Sequence, residues 1–256
     1  MDTPGRFIFD SREHSLIFQT EALPQLLAAM RLVPPADSRR ILSAHQEKAA
    51  EIPQSFRPWL TPAIAAWFLR RGLAPDALAL AEQIHGKQIA RADRPGFYPG
   101  VDGLWSAQRG VGLVIRTADC VPVLMFSTRP AVIGLAHAGW RGVAAGIVPE
   151  LARTLCRQFN LQPHRLQVAL FPYIRACCYR VGRELEPYFP PAAWQHRQDG
   201  FYLDLGIAIR AQLMETGVPA RNVAESGFCT SCSTLPLYSY RKSGTGHRLF
   251  TLAVLH

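Results

Sequence analysis

Long apolar runs are missing from this sequence. No stretch of about 18 apolar residues occurs, so no membrane-spanning helix is predicted. The opening residues, MDTPGRFIFDSREHSL, lack a basic segment followed by an apolar one. No secretory signal is predicted, and the cytoplasm is the expected compartment. No segment repeats at a fixed period, and no clear linker divides the chain. A basic stripe with interleaved aromatics is missing too. Lys and Arg exceed Asp and Glu, 28 to 19, but Arg39–Arg40, Arg70–Arg71 and Arg241–Lys242 lie far apart. Nucleic acid is therefore not the expected partner, while a small anion such as phosphate is compatible.

Cysteines are few, and their spacing excludes common frameworks. Without a secretory signal, the six (120, 156, 177, 178, 229, 232) are expected as thiols. Cys156 sits among apolar residues at a helical position and reads as core. Cys229 and Cys232 have zinc-knuckle or redox spacing. No second C-x-x-C supplies the missing ligands, and the adjacent Cys177 and Cys178 are not expected to share a site. His-x-His pairs are also missing among the eight histidines, which argues against a multicopper oxidase.

What is present suits one soluble α/β domain spanning residues 1–256. Apolar residues make up 48% and charged residues 18%. A chain of 256 residues buries roughly 70–75% of its extended surface and needs no staples. FIFD and SLIFQT are predicted strands, LPQLLAAMRL (23–32) a helix, and 33–58 mostly loop. A helix is predicted over 62–72, with Pro62 in its first turn and Gly72 at its end. ALALAEQI should run as a strand into His85, and 91–103 should be loop. GVGLVIRTA, VPVLMFS and AVIGLAHA are continuous apolar runs, as in strands buried on both faces. Residues 141–159 carry apolar side chains every three or four positions and predict one helix. LQVALF, FYLDL, 222–225, LYSYR and RLFTLAVL are further predicted strands. A short helix is predicted near Glu184–Phe189, and IAIRAQLMETG reads as a helix ending at Gly217.

Three reactive side chains stand at the ends of apolar runs. His85 follows ALALAEQI, Cys120 opens VPVLMFS, and His137 lies near the end of AVIGLAHA. A catalytic zinc takes three protein ligands and keeps one position open, so these three form a suitable set. Their wide spacing fits a site assembled from separate strands. The residue types alone leave the plainer reading open, with a hydrogen-bonded surface His and a core Cys. Val121-Pro122 makes the backbone after Cys120 extended, and Asp119 could steady a neighbour from behind. Small residues flank His137 in AHAGWRG and allow close approach. Trp140 offers a flat wall, and Arg141 a planar fork for phosphate or carboxylate.

QIHG, DGLWS, TADCVPVLMF and AHAGWRG, in that order, resemble the YfiH-like family, also called the multicopper polyphenol oxidase or laccase-domain family. CCYRVG (177–182), DLGIAIRAQLMETGV (204–218), FCT (228–230) and YSYRKSGTG (238–246) extend the resemblance over roughly residues 77–255. It implies an α+β fold, an α/β/β/α sandwich of mixed sheets flanked by helices. It also implies that His85, Cys120 and His137 hold the metal, zinc, with copper possible. The implied activity is purine nucleoside phosphorolysis on adenosine, inosine, guanosine and methylthioadenosine, with adenosine deamination. Some bacterial members are linked to peptidoglycan editing. Catalytic roles are then expected for Cys120, Asp119 (proton shuttle) and His137, and substrate contacts for Arg141 and Trp140. A nucleoside and inorganic phosphate are the expected partners of a monomer. The family's usual N-terminal segments are not visible in residues 1–76. Phe171-Pro172 stands where Gly-Pro is usual, and Thr245-Gly246-His247-Arg248 stands where Thr-Gly-Arg is usual. A metal-free alternative pairs Cys120 with His137 as a thiolate–imidazole amide hydrolase.

Overall fold

Continuous Val, Ile and Leu runs demand cover on both faces, and the structure supplies it in four layers. The computed structural model describes residues 5–32, 53–244 and 246–256. Most of the expected 33–58 loop lies outside the described residues. One sheet has six strands, in the order β15 (Val223–Glu225), β11 (Gln167–Leu170), β9 (Val121–Thr128), β10 (Ala131–Ala138), β7 (Gly103–Ser106) and β5 (Ile89–Arg91). The other has seven, in the order β1 (Arg6–Asp10), β2 (Ser15–Gln19), β3 (Leu26–Arg31), β16 (Leu249–Leu255), β8 (Gly112–Thr117), β4 (Leu78–Ala81) and β6 (Gly96–Tyr98). Both are mixed: β4 runs parallel to β6 and β8, and β11 to β15, while β16 is antiparallel to both neighbours.

Side chains alternate across each strand, so each central run feeds two cores. On β9, Leu124 and Phe126 join Leu113, Ile115 and Ala253 of the facing sheet. Val121, Val123 and Met125 point the other way. They pack under α3 (Ile147–Phe159) and α4 (Leu205–Glu215) through Leu151, Leu155, Ile209 and Leu213. On the far side, Val114, Leu252 and Val254 meet Trp67 and Phe68 of α1 (Pro62–Leu69). The result is the expected α/β/β/α sandwich. A small antiparallel sheet of β12 (Arg180–Val181), β14 (Gly200–Leu203) and β13 (Trp194–Arg197) is added.

Several expectations need correction. LPQLLAAMRL is not a helix; its Leu26–Arg31 part is β3, paired with β2 and β16. Ala, Leu and Met favour helix, but pairing on both edges and full burial of Ala28, Ala29 and Met30 override that preference. The single helix over 141–159 is two, because Gly146 is left-handed (φ 84°) between α2 (Trp140–Ala144) and α3. LYSYR is not a strand. Ser239 Oγ accepts from the Lys242 N–H and starts a short helix, α5 (Tyr240–Ser243), which Gly244 ends at φ 63°. The 91–103 loop contains β6 and borders β5 and β7, strands too short to show a period. The strand before His85 stops at Ala81, and Gln83 and His85 take left-handed φ of 68° and 63°. Such values are uncommon outside glycine.

Leu124 is fully buried at the centre of the inter-sheet core. Leu124→Ala should lower unfolding free energy by about 2–5 kcal/mol, read from urea denaturation.

Candidate metal centre and active site

The loop between β4 and β5 carries His85, the turn before β9 carries Cys120, and β10 carries His137. Hydrogen-bonded pairing of β9 with β10 sets His137 opposite Pro122, two residues from Cys120. One ligand atom each of His85, Cys120 and His137 lies within 4.8 Å of the others. The two imidazoles meet edge to face, with centroids 4.8 Å apart. His137 is buried, Cys120 half-buried and His85 exposed. This donor set, two imidazoles and one thiol, fits zinc or another borderline-soft ion.

Asp102 organises the group and went unassigned in the sequence. Its side chain is fully buried just before β7. Oδ1 accepts from His137 Nδ1 at 2.8 Å and from the His85 N–H at 2.9 Å. Oδ2 accepts from the N–H groups of Gly86 (2.7 Å) and Ile84 (3.2 Å). The Asp102 carbonyl also accepts from the His137 N–H at 2.7 Å. A carboxylate only accepts, so Nδ1 of His137 must carry a proton. Its Nε2 is left to meet Cys120. Burial alone would raise the Asp102 carboxyl, but the His137 bond and the Gly86 and His85 N–H groups hold it below the usual range. Burial also works against charge on Cys120, yet hydrogen bonds from His137 and His85 bring its thiol down to about 6. Burial would lower His137, but Asp102 and Cys120 raise it to about 9. Nothing in the sequence marks Asp102 for this role, since DGLWS shows only an Asp before a strand.

Two glycines of AHAGWRG make the approach possible. A Cβ at Gly139 would lie 3.0 Å from Cys120 Sγ and 3.2 Å from His85 Cδ2. A Cβ at Gly142 would lie 2.9 Å from the Gly86 carbonyl oxygen, where α2 abuts the His85 loop.

The group opens onto a cavity of about 580 Å³. Trp140 and Tyr179 give it aromatic surface, and Arg116, Arg141, Arg241 and Arg248 make it basic. Arg141 stacks on Trp140 at 4.3 Å. Arg116 is anchored by Gln83 Oε1 and the Glu82 carbonyl and stacks on Trp59. Burial and the nearby Arg248 charge lower Arg116 to about 10. Burial and the Cys120 charge push Tyr179 up to about 12, so it keeps its proton. Asp119 borders the cavity in a left-handed conformation (φ 93°). Its Oδ1 accepts from Thr230 Oγ1 at 2.7 Å and its Oδ2 from the Arg241 N–H at 2.8 Å. Residues 116, 179, 241 and 248 were missed because nothing local links them. Only the fold brings four separated segments to one rim.

The cysteine expectation also needs correction. Cys177, Cys178, Cys229 and Cys232 form a second group, with thiol sulfurs within 4.8 Å of one another. Successive side chains diverge in a strand, but 175–178 is a turn, closed by Cys178 and Tyr179 N–H groups on the Arg175 carbonyl.

The family described as multi-copper polyphenol oxidoreductase laccase matches residues 62–256. Purine nucleoside phosphorylase YlmD of Geobacillus stearothermophilus is 37% identical over 187 residues, 66% of this chain and 68% of that protein. Adenosine deaminase RL5, from an unknown prokaryotic organism, is 30% identical over 202 residues, 72% of this chain and 77% of that protein. The crystal structure of Geobacillus stearothermophilus YlmD superposes with a TM-score of 0.81 at 28% identity, covering 99% of this chain and 100% of that one. Bacillus licheniformis YfiH shares the fold, with a TM-score of 0.81 at 22% identity over 98% of this chain and 99% of that one.

Asp102→Asn would turn an amide N–H₂ toward donors that need an acceptor. Zinc affinity should fall about 10–100-fold, measured by competition with a chromogenic chelator. Gly139→Ala should weaken zinc in the same assay, because its methyl presses on Cys120 Sγ and His85. Wild-type affinity in both variants would remove Asp102 and Gly139 from the site's support.

Proposed function

The chain belongs to the multi-copper polyphenol oxidoreductase laccase family, the YfiH-like family, and from that premise we propose a zinc-dependent purine nucleoside enzyme. It would phosphorolyse adenosine, inosine, guanosine and methylthioadenosine and deaminate adenosine. One observation carries the reading: the His85–Cys120–His137 group opens onto a cavity rimmed by arginines and aromatic rings. Relatives named for phosphorolysis and for adenosine deamination, at 37% and 30% identity, support both reactions. A volume near 580 Å³ lies within the ~300–1,000 Å³ typical of small-molecule sites. No described helix is long and apolar enough to cross a membrane.

His85, Cys120 and His137 would hold the zinc, and the chemistry it would supply there is Lewis acidity: a lowered pKa for bound water and stabilisation of developing negative charge. The protein's own groups do the rest. Trp140 and Tyr179 offer ring faces and a neutral hydroxyl to the purine. Arg141, braced on Trp140, holds phosphate through its planar fork. Arg116 and Arg248 both line the cavity, and the Arg248 charge acts against that of Arg116, so an anion bound near the two would lower their repulsion. Asp119 fits a positioning role better than proton transfer, because both its oxygens already hold Thr230 and Arg241. In phosphorolysis a phosphate oxygen bonds to C1′ while the C1′–N9 pair leaves with the base. In deamination a water oxygen bonds to C6 and the amino group departs as ammonia.

A second reading rests on the metal-free ionisation of the same residues. Cys120 near 6 and His137 near 9, with Asp102 behind the imidazole, make a thiolate–imidazolium pair suited to amide hydrolysis. Metal-dependent activity lost on chelation and restored by zinc excludes it. Activity in stripped protein, blocked by alkylating Cys120, supports it.

The decisive assay is a nucleoside panel with and without phosphate. Free base plus ribose 1-phosphate marks phosphorolysis, and inosine plus ammonia marks deamination. Cys120→Ala should abolish both while the fold is retained; wild-type turnover in that variant would sink the proposal. Arg141→Ala should raise KM for phosphate about 10–100-fold and leave adenosine deamination largely unchanged. Equal loss in both reactions would move Arg141 from phosphate to the nucleoside.

A further inference from the structure

Four cysteines lie outside the cavity and take no part in the chemistry above. We propose that Cys177, Cys178, Cys229 and Cys232 bind a second, structural zinc ion as a tetrathiolate site.

The geometry suits one metal. All four sulfurs lie within 4.8 Å of one another, and Cys177 Sγ is 3.5 Å from Cys232 Sγ. Tetrahedral zinc with Zn–S bonds of ~2.3 Å separates its sulfurs by roughly 3.8 Å. A disulfide would need two of these thiols and would leave the others unexplained. An iron–sulfur cluster would spread the thiolates farther, since its own irons and sulfides sit between them.

The surrounding backbone is arranged like a metal knuckle. Tyr173 and Cys229 form a parallel bridge, and the Thr230 N–H donates to the Tyr173 carbonyl at 3.0 Å. From there each segment turns. The Ser233 N–H closes on the Cys229 carbonyl at 3.0 Å, and the Cys178 N–H on the Arg175 carbonyl at 2.8 Å. Each turn presents two thiols to one point. Cys229 is buried, and the backbone N–H groups of Arg175, Ser231 and Cys232 are aimed at its sulfur. Arg175 lies beside the group and Arg197 donates to the Cys177 and Ala176 carbonyls, so cations stand near the excess negative charge of four thiolates on a dication. Cys177 and Cys232 face solvent, which leaves a path for the ion.

The placement assigns the ion a task. The first turn leads from Ile174 to Tyr179, both on the cavity wall, and the second contains Thr230, which holds Asp119. A metal joining the turns would clamp that wall.

Elemental analysis of the purified full-length protein tests this. Wild type should carry two zinc equivalents per chain. The Cys229→Ser, Cys232→Ser double variant should carry one, and should melt at a lower temperature. A variant emptied at the first site, His85→Ala with Cys120→Ala, should retain one equivalent. When cobalt-substituted, it should show the intense visible bands and sulfur-to-metal charge transfer of a tetrathiolate. That variant keeps the test independent of both the nucleoside reading and the folding of the double-Ser protein. A single equivalent in wild type that disappears with His85→Ala and Cys120→Ala would overturn the proposal. So would a Cys177–Cys232 disulfide, or four freely titrating thiols in protein saturated with zinc.

Discussion

The buried carboxylate of Asp102 is the constraint on which the site depends. An ionised group with no exposure is costly unless every lone pair is used. Asp102 meets that demand with the His137 ring and three consecutive N–H groups at 84–86. One charge therefore solves two problems. It fixes the tautomer and direction of one imidazole, and it holds the loop that delivers the other. The loop's left-handed residues, Gln83 and His85, are tolerated because the same contacts pin their backbone. Without the carboxylate, neither the strand-borne His137 nor the loop-borne His85 has a reason to face Cys120.

Around this anchor the two sheets do different work. The six-stranded sheet supplies rigidity: β9 and β10, buried on both faces, place Cys120 and His137 within a tightly packed frame. The cavity's polar rim comes from elsewhere. Arg116 is the next-to-last residue of β8 in the other sheet, Tyr179 follows the 175–178 turn, Arg241 lies in α5, and Arg248 directly precedes β16. The basic surplus looked scattered along the chain, but part of it is gathered here. Several positive charges around one pocket favour a small anion far more than they favour nucleic acid, whose recognition needs an extended stripe.

The legible parts of the fold were those with a strong local signature. The runs over 112–138 and 249–255 read as strands because β-branched and apolar residues were continuous and long. The helix at 62–69 was marked by Pro62, and α4 was marked by Gly217. β3 was misread because its residues favour helix, and only its neighbours β2 and β16 make it a strand. The vicinal cysteines were misjudged for the same reason. Whether two adjacent thiols converge depends on the turn that carries them, and the Tyr173–Cys229 bridge brings the second pair of thiols beside that turn.

The amino-acid sequence by itself determined the donor types, the central strands near them and the family. His, Cys and His at the ends of apolar runs, with small residues beside them, are local chemical facts. Only the tertiary structure decided that these groups meet, that Asp102 stands behind them, that four distant arginines share one cavity and that two pairs of cysteines form one group. Each of those is a distance between segments far apart in the chain. Such distances follow from sheet pairing and layer packing, which no local window of residues encodes.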